Sequence, residues 1–205
     1  MTTGVPEVSG GARRPGRRPG RRPGAADTRG EILAAARRVF AEKGFDKATI
    51  RGIAREAGVD PALVHHYFDS KEGVFVAALR LPLDPSSMIP RVLAGPREEV
   101  GERIVRFVLT MTADAEAREP LLGLVRTAMV NEQAAGMVRE FFRTAVVGRV
   151  AETLEVPPLR MEAAFAQMFG VLMTRYILGF EPMASADIEE LVELLAPVVQ
   201  GYLAG

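Results

Sequence analysis

The chain is 205 residues long and 48% apolar, enough for one or two domains with a real core. Its formal charge of zero hides an asymmetry: residues 1–80 carry 15 Lys/Arg against 9 Asp/Glu, residues 81–205 carry 11 against 17. A basic front half points towards a polyanion, and the absence of cysteine excludes disulfides, thiolate metal sites and cysteine catalysis. Nothing approaches the roughly 18 uninterrupted apolar residues of a membrane span. An arginine-rich N-terminus with no apolar segment behind it does not fit a secretory signal. The expectation is a cytoplasmic protein with no cofactor.

Residues 1–26 hold almost nothing to bury, and are expected to form a disordered Arg/Pro/Gly arm. Within it, Arg13 to Gly24 repeats the unit RRPG three times. From Thr28 onward the periodicity is helical. Thr28 with Glu31 predicts a capping box. Ile32, Leu33, Ala36, Val39 and Phe40 follow a 3.6-residue period, and Gly44 supplies a stop. A second helix starts at Thr49, turns Ile50, Ile53, Ala54 and Ala57 inward, and breaks at Gly58. A third starts at Asp60 and Pro61, a cap followed by a residue pre-set for the first helical position. A fourth starts at Asp69–Ser70 and buries Val74, Phe75, Ala78 and Leu79. Pro82, Pro85, Pro90 and Pro96 predict a connector with about one helical turn inside it. About five longer apolar-striped segments follow, the fourth of them after the Pro157–Pro158 break, and Pro197 predicts a bend in the last. No segment alternates with period two for long enough to suggest a sheet. The expected fold is all-α.

Two short helices separated by a tight turn at Gly58 have helix-turn-helix spacing. Val64 and Phe68, at i and i+4, give the third helix one face to bury, which so short a helix needs in order to exist. The rest of that helix, Pro61, Ala62, Leu63, His65, His66 and Tyr67, is left to face outward. The chain's only two histidines therefore stand side by side on an exposed rim. Neighbours on a helix point about 100° apart and do not share a metal ion easily, so no metal site is expected. With no cysteine and with carboxylates scattered along the helices, no catalytic pair assembles from spacing; an enzyme is not expected.

The run ILAAARRVFAEKGFDKATIRGIAREAGVDPALVHHYFDSKEGVF resembles the DNA-binding domain of TetR-family transcriptional regulators in order, spacing and residue type. The resemblance implies a helix-turn-helix DNA-binding domain over residues 27–81 and a helical effector-binding and dimerisation domain over 82–205. It implies a recognition helix whose first residues, Pro61, Ala62 and Leu63, lie nearest the base edges. These offer carbon but no side-chain donors, which predicts contact with thymine methyls and shape readout. His65, His66 and Tyr67 are placed for phosphates; packing is the other reading of Tyr67. Thr49 and Lys71 match positions that commonly touch phosphates in the family. Arg17, Arg18, Arg21 and Arg22 of the arm lie along the phosphates, dip into an A·T-rich minor groove, or belong to a solvated tail.

The same resemblance implies a homodimer formed by the last two helices, Leu159 to Phe180 and Ser185 to Leu203, on an inverted-repeat operator in double-stranded DNA. It also implies a small-molecule effector among the middle helices. Phe107, Met111, Arg126, Met129, Phe141, Phe142, Met168 and Tyr176 are the candidates, each alone explicable as ordinary core. A repressor released when the ligand moves the fourth helix is the expected function. The alternative is a DNA-binding regulator or architectural protein with no small-molecule effector.

Overall fold

The structure, a computed structural model, describes Met1 and residues 25–204, and every regular element among them is helical. The arm with Arg17, Arg18, Arg21 and Arg22 lies outside the described residues.

Helix α1 (Ala25–Lys47) starts three residues before Thr28, so the expected capping box falls inside the helix rather than at its end. Gly44 leaves the helical path at φ 75°, ψ 175°, where the stop was expected. α2 (Ile50–Ala57), α3 (Pro61–Phe68) and α4 (Lys71–Leu79) follow, each with a side-chain cap. Thr49 Oγ1 accepts from the Gly52 N–H at 3.0 Å, Asp60 Oδ1 from Ala62 at 2.7 Å, and Ser70 Oγ from Gly73 at 3.0 Å. Such caps satisfy backbone donors that a helix start otherwise leaves open. Between α3 and α4 the chain turns so sharply that a Cβ on Gly73 would lie 2.2 Å from the Phe68 carbonyl oxygen. Only glycine fits there. The four helices close over one core in which Phe40, Phe45 and Phe75 pack ring against ring, with Ile32, Ile53, Val64 and Phe68 around them.

The proline-rich segment is a nine-residue helix, α5 (Pro85–Leu93), not a connector with a single turn. Asp84 caps it, accepting from the Ser86 N–H at 3.1 Å, and Pro85 occupies the first turn, where its missing N–H has no partner to lose. Burial opposes the charge on Asp84, but hydrogen bonds from Ser86 and Ser87 outweigh it and hold the carboxyl below its ordinary value.

Five rods follow, the number expected. They are α6 (Val100–Met111) after a 3₁₀ turn (Arg97–Glu99), α7 (Ala115–Val130), and α8 (Glu132–Phe141) continued into α9 (Gly148–Leu154). The last two are α10 (Pro158–Leu172) and α11 (Ile188–Leu203). π turns, Phe142–Val147 and Met173–Leu178, join α8 to α9 and extend α10. α11 passes through Pro197 without stopping or restarting. Gly101 lets α6 and α11 meet at backbone distance: a Cβ there would sit 2.5 Å from the Gln200 nitrogen. In return Gln200 Oε1 accepts the Gly101 N–H at 2.7 Å.

Replacing Gly73 by alanine is expected to cost about 1–3 kcal/mol through overpacking. That would lower the thermal midpoint by several degrees in circular dichroism melts. An unchanged midpoint would mean that the α3–α4 turn relaxes freely.

Candidate nucleic-acid interface and ligand cavity

Helix α3 has only eight residues and is held from beneath. Val64 is fully buried and Phe68 is 6% exposed, both in the core built on α1, α2 and α4. At about 1.5–3 kcal/mol for each buried side chain, this outweighs the poor stability of an isolated two-turn helix. The opposite rim is open. Ala62, Leu63, His65 and His66 are exposed, Leu63 by 39%, and Pro61 and Tyr67 are half-buried. The Tyr67 ring packs against the head core, the second reading given for it, and meets His66 edge-on at 5.3 Å. His65 Nδ1 donates to the Asp69 carbonyl at 3.0 Å, which turns that ring towards the C-terminal end of α3.

Thr49 is exposed at the start of α2. Its oxygen accepts the Gly52 N–H, which leaves the hydroxyl proton for an outside acceptor. Lys71 opens α4, as expected, and its ammonium has partners within the chain. Its ammonium donates to the carbonyls of Phe45 (3.0 Å) and Asp46 (3.4 Å) and lies 4.3 Å from the Phe45 ring centroid. It ties α4 to the end of α1.

Two further basic residues, not among the expected contacts, are exposed on the head. Arg51 is exposed in the first turn of α2, a turn with no acidic residue. Arg29 is exposed on α1 with its guanidinium 5.2 Å over the Phe68 ring, beneath α3. Neither is in an ion pair among the described residues. A cation in a first helical turn opposes the helix dipole unless an anion docks beside it. That was the sequence signal for Arg51.

In the helical body a cavity of about 230 Å³ opens among α5, α6, α7, α8 and α10. Phe107, Met111, Phe142 and Met168 line it as expected, and Phe165 and Met173 join them. Its wall is carbon almost throughout; Arg139 is the one charged lining residue. The other four candidates are not brought there. Arg126 is on the outside of α7, paired with Glu119 at 2.8 Å with half its side chain exposed. Met129 is 72% exposed in the last turn of α7, past Val125, the last buried residue of that helix. Phe141 is fully buried but faces the head, because adjacent helical residues point about 100° apart and Phe142 takes the cavity side. Tyr176 follows the start of a π turn, which shifts it out of α-helical register. Its ring lies instead between the guanidiniums of Arg118 (4.5 Å) and Arg175 (5.6 Å).

Two family models match, together covering most of the described chain. Residues 32–78 match "Bacterial regulatory proteins, tetR family", and residues 98–203 match "Tetracyclin repressor-like, C-terminal domain". A TetR-family regulator of known structure from Streptomyces coelicolor A3 is 34% identical, over 91% of this chain and all of that one, with a TM-score of 0.51. The chain belongs to the TetR family of transcriptional regulators. The HTH-type transcriptional regulator BetI of Rhizobium meliloti (strain 1021) is 41% identical over 80 residues, 37% of this chain and 39% of that protein. UidR of Escherichia coli (strain K12) is 29% identical over 121 residues, 56% of this chain and 59% of that protein. The chain thus spans about half the length of the curated relatives it matches.

TetR-family proteins regulate transcription by binding DNA, typically as repressors, and form no class of enzymes. No helix among the described residues is long and apolar enough to cross a membrane, and no three of their His, Asp and Glu side chains group as a metal site. Arg51→Ala is expected to weaken binding to every duplex alike and to reduce the log–log salt slope by about 0.9, the mark of one lost phosphate contact. An unchanged slope in a fluorescence-anisotropy salt series would remove Arg51 from the interface.

Proposed function

We propose that this TetR-family chain is a dimeric repressor, released from an inverted-repeat operator by a predominantly apolar small molecule. Residues 27–81 read DNA and residues 82–205 bind the effector and pair the subunits. The observation that carries the effector is the carbon-lined cavity of about 230 Å³ behind a reading head whose α3 rim is open. A dry cavity of roughly 150 Å³ already accepts benzene, so this one has room for an effector larger than one aromatic ring. Its surface is mostly hydrocarbon, because Arg139 is the one charged residue on the wall and stands at an exposed edge, paired with Glu132 at 3.3 Å.

At the DNA, Pro61, Ala62 and Leu63 meet base edges through carbon and read thymine methyls and groove shape. His65, His66, Tyr67, Thr49 and the two added cations, Arg29 and Arg51, hold phosphates and set the register. Arg17, Arg18, Arg21 and Arg22 extend the contact along the backbone. Pairing uses the outer faces of α10 and α11. Leu159 and Phe169 on the first, and Leu194 and Val198 on the second, are large apolar side chains left exposed by the single chain. They suit an isologous contact across a two-fold axis.

Selecting bound fragments from random duplex DNA is expected to return two inverted half-sites about one helical turn apart, or slightly more. A panel of apolar compounds then tests release. Those that raise the thermal midpoint should weaken operator binding in parallel. A single unpaired half-site would remove the dimeric arrangement. Stabilising compounds that leave operator affinity untouched would make the protein a regulator without an effector.

A further inference from the structure

We propose that the effector is an amphipathic anion, whose hydrocarbon part fills the cavity while its anionic group sits outside the wall on Arg91. This rests on the effector reading above and names the chemical class that the site takes.

On the outer side of α5 and α6 lies a second space, a groove of about 660 Å³. Val92, Phe107 and Met111 line both the groove and the cavity. A single layer of side chains therefore divides the carbon-lined interior from the groove. Phe107 and Met111 are only half-buried, and an unbranched methionine has three rotatable bonds with which to give way. A chain of methylenes crossing here passes between side chains and not through backbone.

The groove is basic, although it lies in the acidic half of the chain, where 11 Lys/Arg stand against 17 Asp/Glu. Arg91, Arg103 and Arg106 line it, and among the described residues no carboxylate does. Two of these arginines are satisfied within the chain. Arg103 donates to the carbonyls of Val92 (2.8 Å) and Pro96 (2.7 Å) and pairs with Glu99 at 3.3 Å. Arg106 pairs with Glu102 at 3.0 Å and with Glu189. Arg91 is left over. It is exposed and has no ion pair or hydrogen bond among the described residues. Its guanidinium lies 5.9 Å from the centroid of the Phe107 ring, one of the rings in the cavity wall.

These placements set the two ends of the ligand. Inside the cavity a charge would be buried in carbon, which is costly without a partner, and Arg139 is already neutralised by Glu132. A charged group therefore stays outside the wall. Its sign follows from Arg91: a guanidinium with open donors takes an oxyanion such as a carboxylate through paired hydrogen bonds, and repels an ammonium. The Phe107 ring spans the step between the two ends.

Straight-chain carboxylates from hexanoate to dodecanoate, and the matching primary alcohols, are the probes, each kept below its micelle-forming concentration. Release of the selected operator from the full chain is followed by fluorescence anisotropy at constant ionic strength. Each added methylene should tighten either series about fourfold until the cavity is full. At equal length the carboxylate should act at lower concentration than the alcohol. Arg91→Gln should weaken the carboxylate about three- to tenfold and the alcohol less than twofold, and Arg91→Lys should recover part of the loss. The carboxylate-to-alcohol ratio is the readout, because a structural defect would weaken both series together. Alcohols as potent as carboxylates, or a ratio that Arg91→Gln leaves unchanged while Arg139→Gln collapses it, would overturn the assignment and leave the effector reading standing. Carboxylates that neither release the operator nor raise the thermal midpoint would overturn it as well; the effector reading falls with it only if the wider apolar panel is equally silent.

Discussion

The whole reading head depends on two side chains being buried beneath a helix too short to stand alone. Val64 and Phe68 fix α3 from below, and Asp60 and Pro61 fix its start. The consequence is a rim whose position is set by the core and not by its own sequence. Residues on that rim are therefore free to be chosen for what they meet outside. This is how one head can carry a carbon-rich edge, Ala62 and Leu63, directly beside two histidines.

The same logic extends into the body. The head core does not end at α4 but takes in Phe141 from α8, so head and body share side chains instead of meeting at a flat surface. A π turn, Phe142–Val147, follows directly on Phe141. Tight approach elsewhere restricts movement: Gly101 holds α6 against α11 at backbone distance.

The head was legible in the sequence because its determinants are local. Thr49, Gly58, Asp60, Pro61 and Ser70 mark starts and stops within a few residues of the elements they bound. Val64 and Phe68 needed only the helical period. What failed depended on distance in the chain. The carbonyls 25 and 26 residues earlier that hold the Lys71 ammonium gave no local signal. Arg126 and Met129 share a helix with true wall residues, yet Arg126 lies on its outer side and Met129 past the last buried turn. Phe141 and Phe142 are neighbours whose roles diverge by the angle of a single residue. Tyr176 was displaced by a π turn that no composition signal announces. The four prolines of residues 82–96 read as a break, although Pro85 opens a helix and Pro90 is accommodated inside it.

The most direct test of the propped rim is an amide chemical-shift map of the labelled protein as duplex operator is added. The amides of Ala62 to Tyr67 should shift first and furthest, while those of Met161 to Leu172 around the cavity respond weakly. Silent α3 amides alongside large shifts elsewhere would show that DNA is held by another surface.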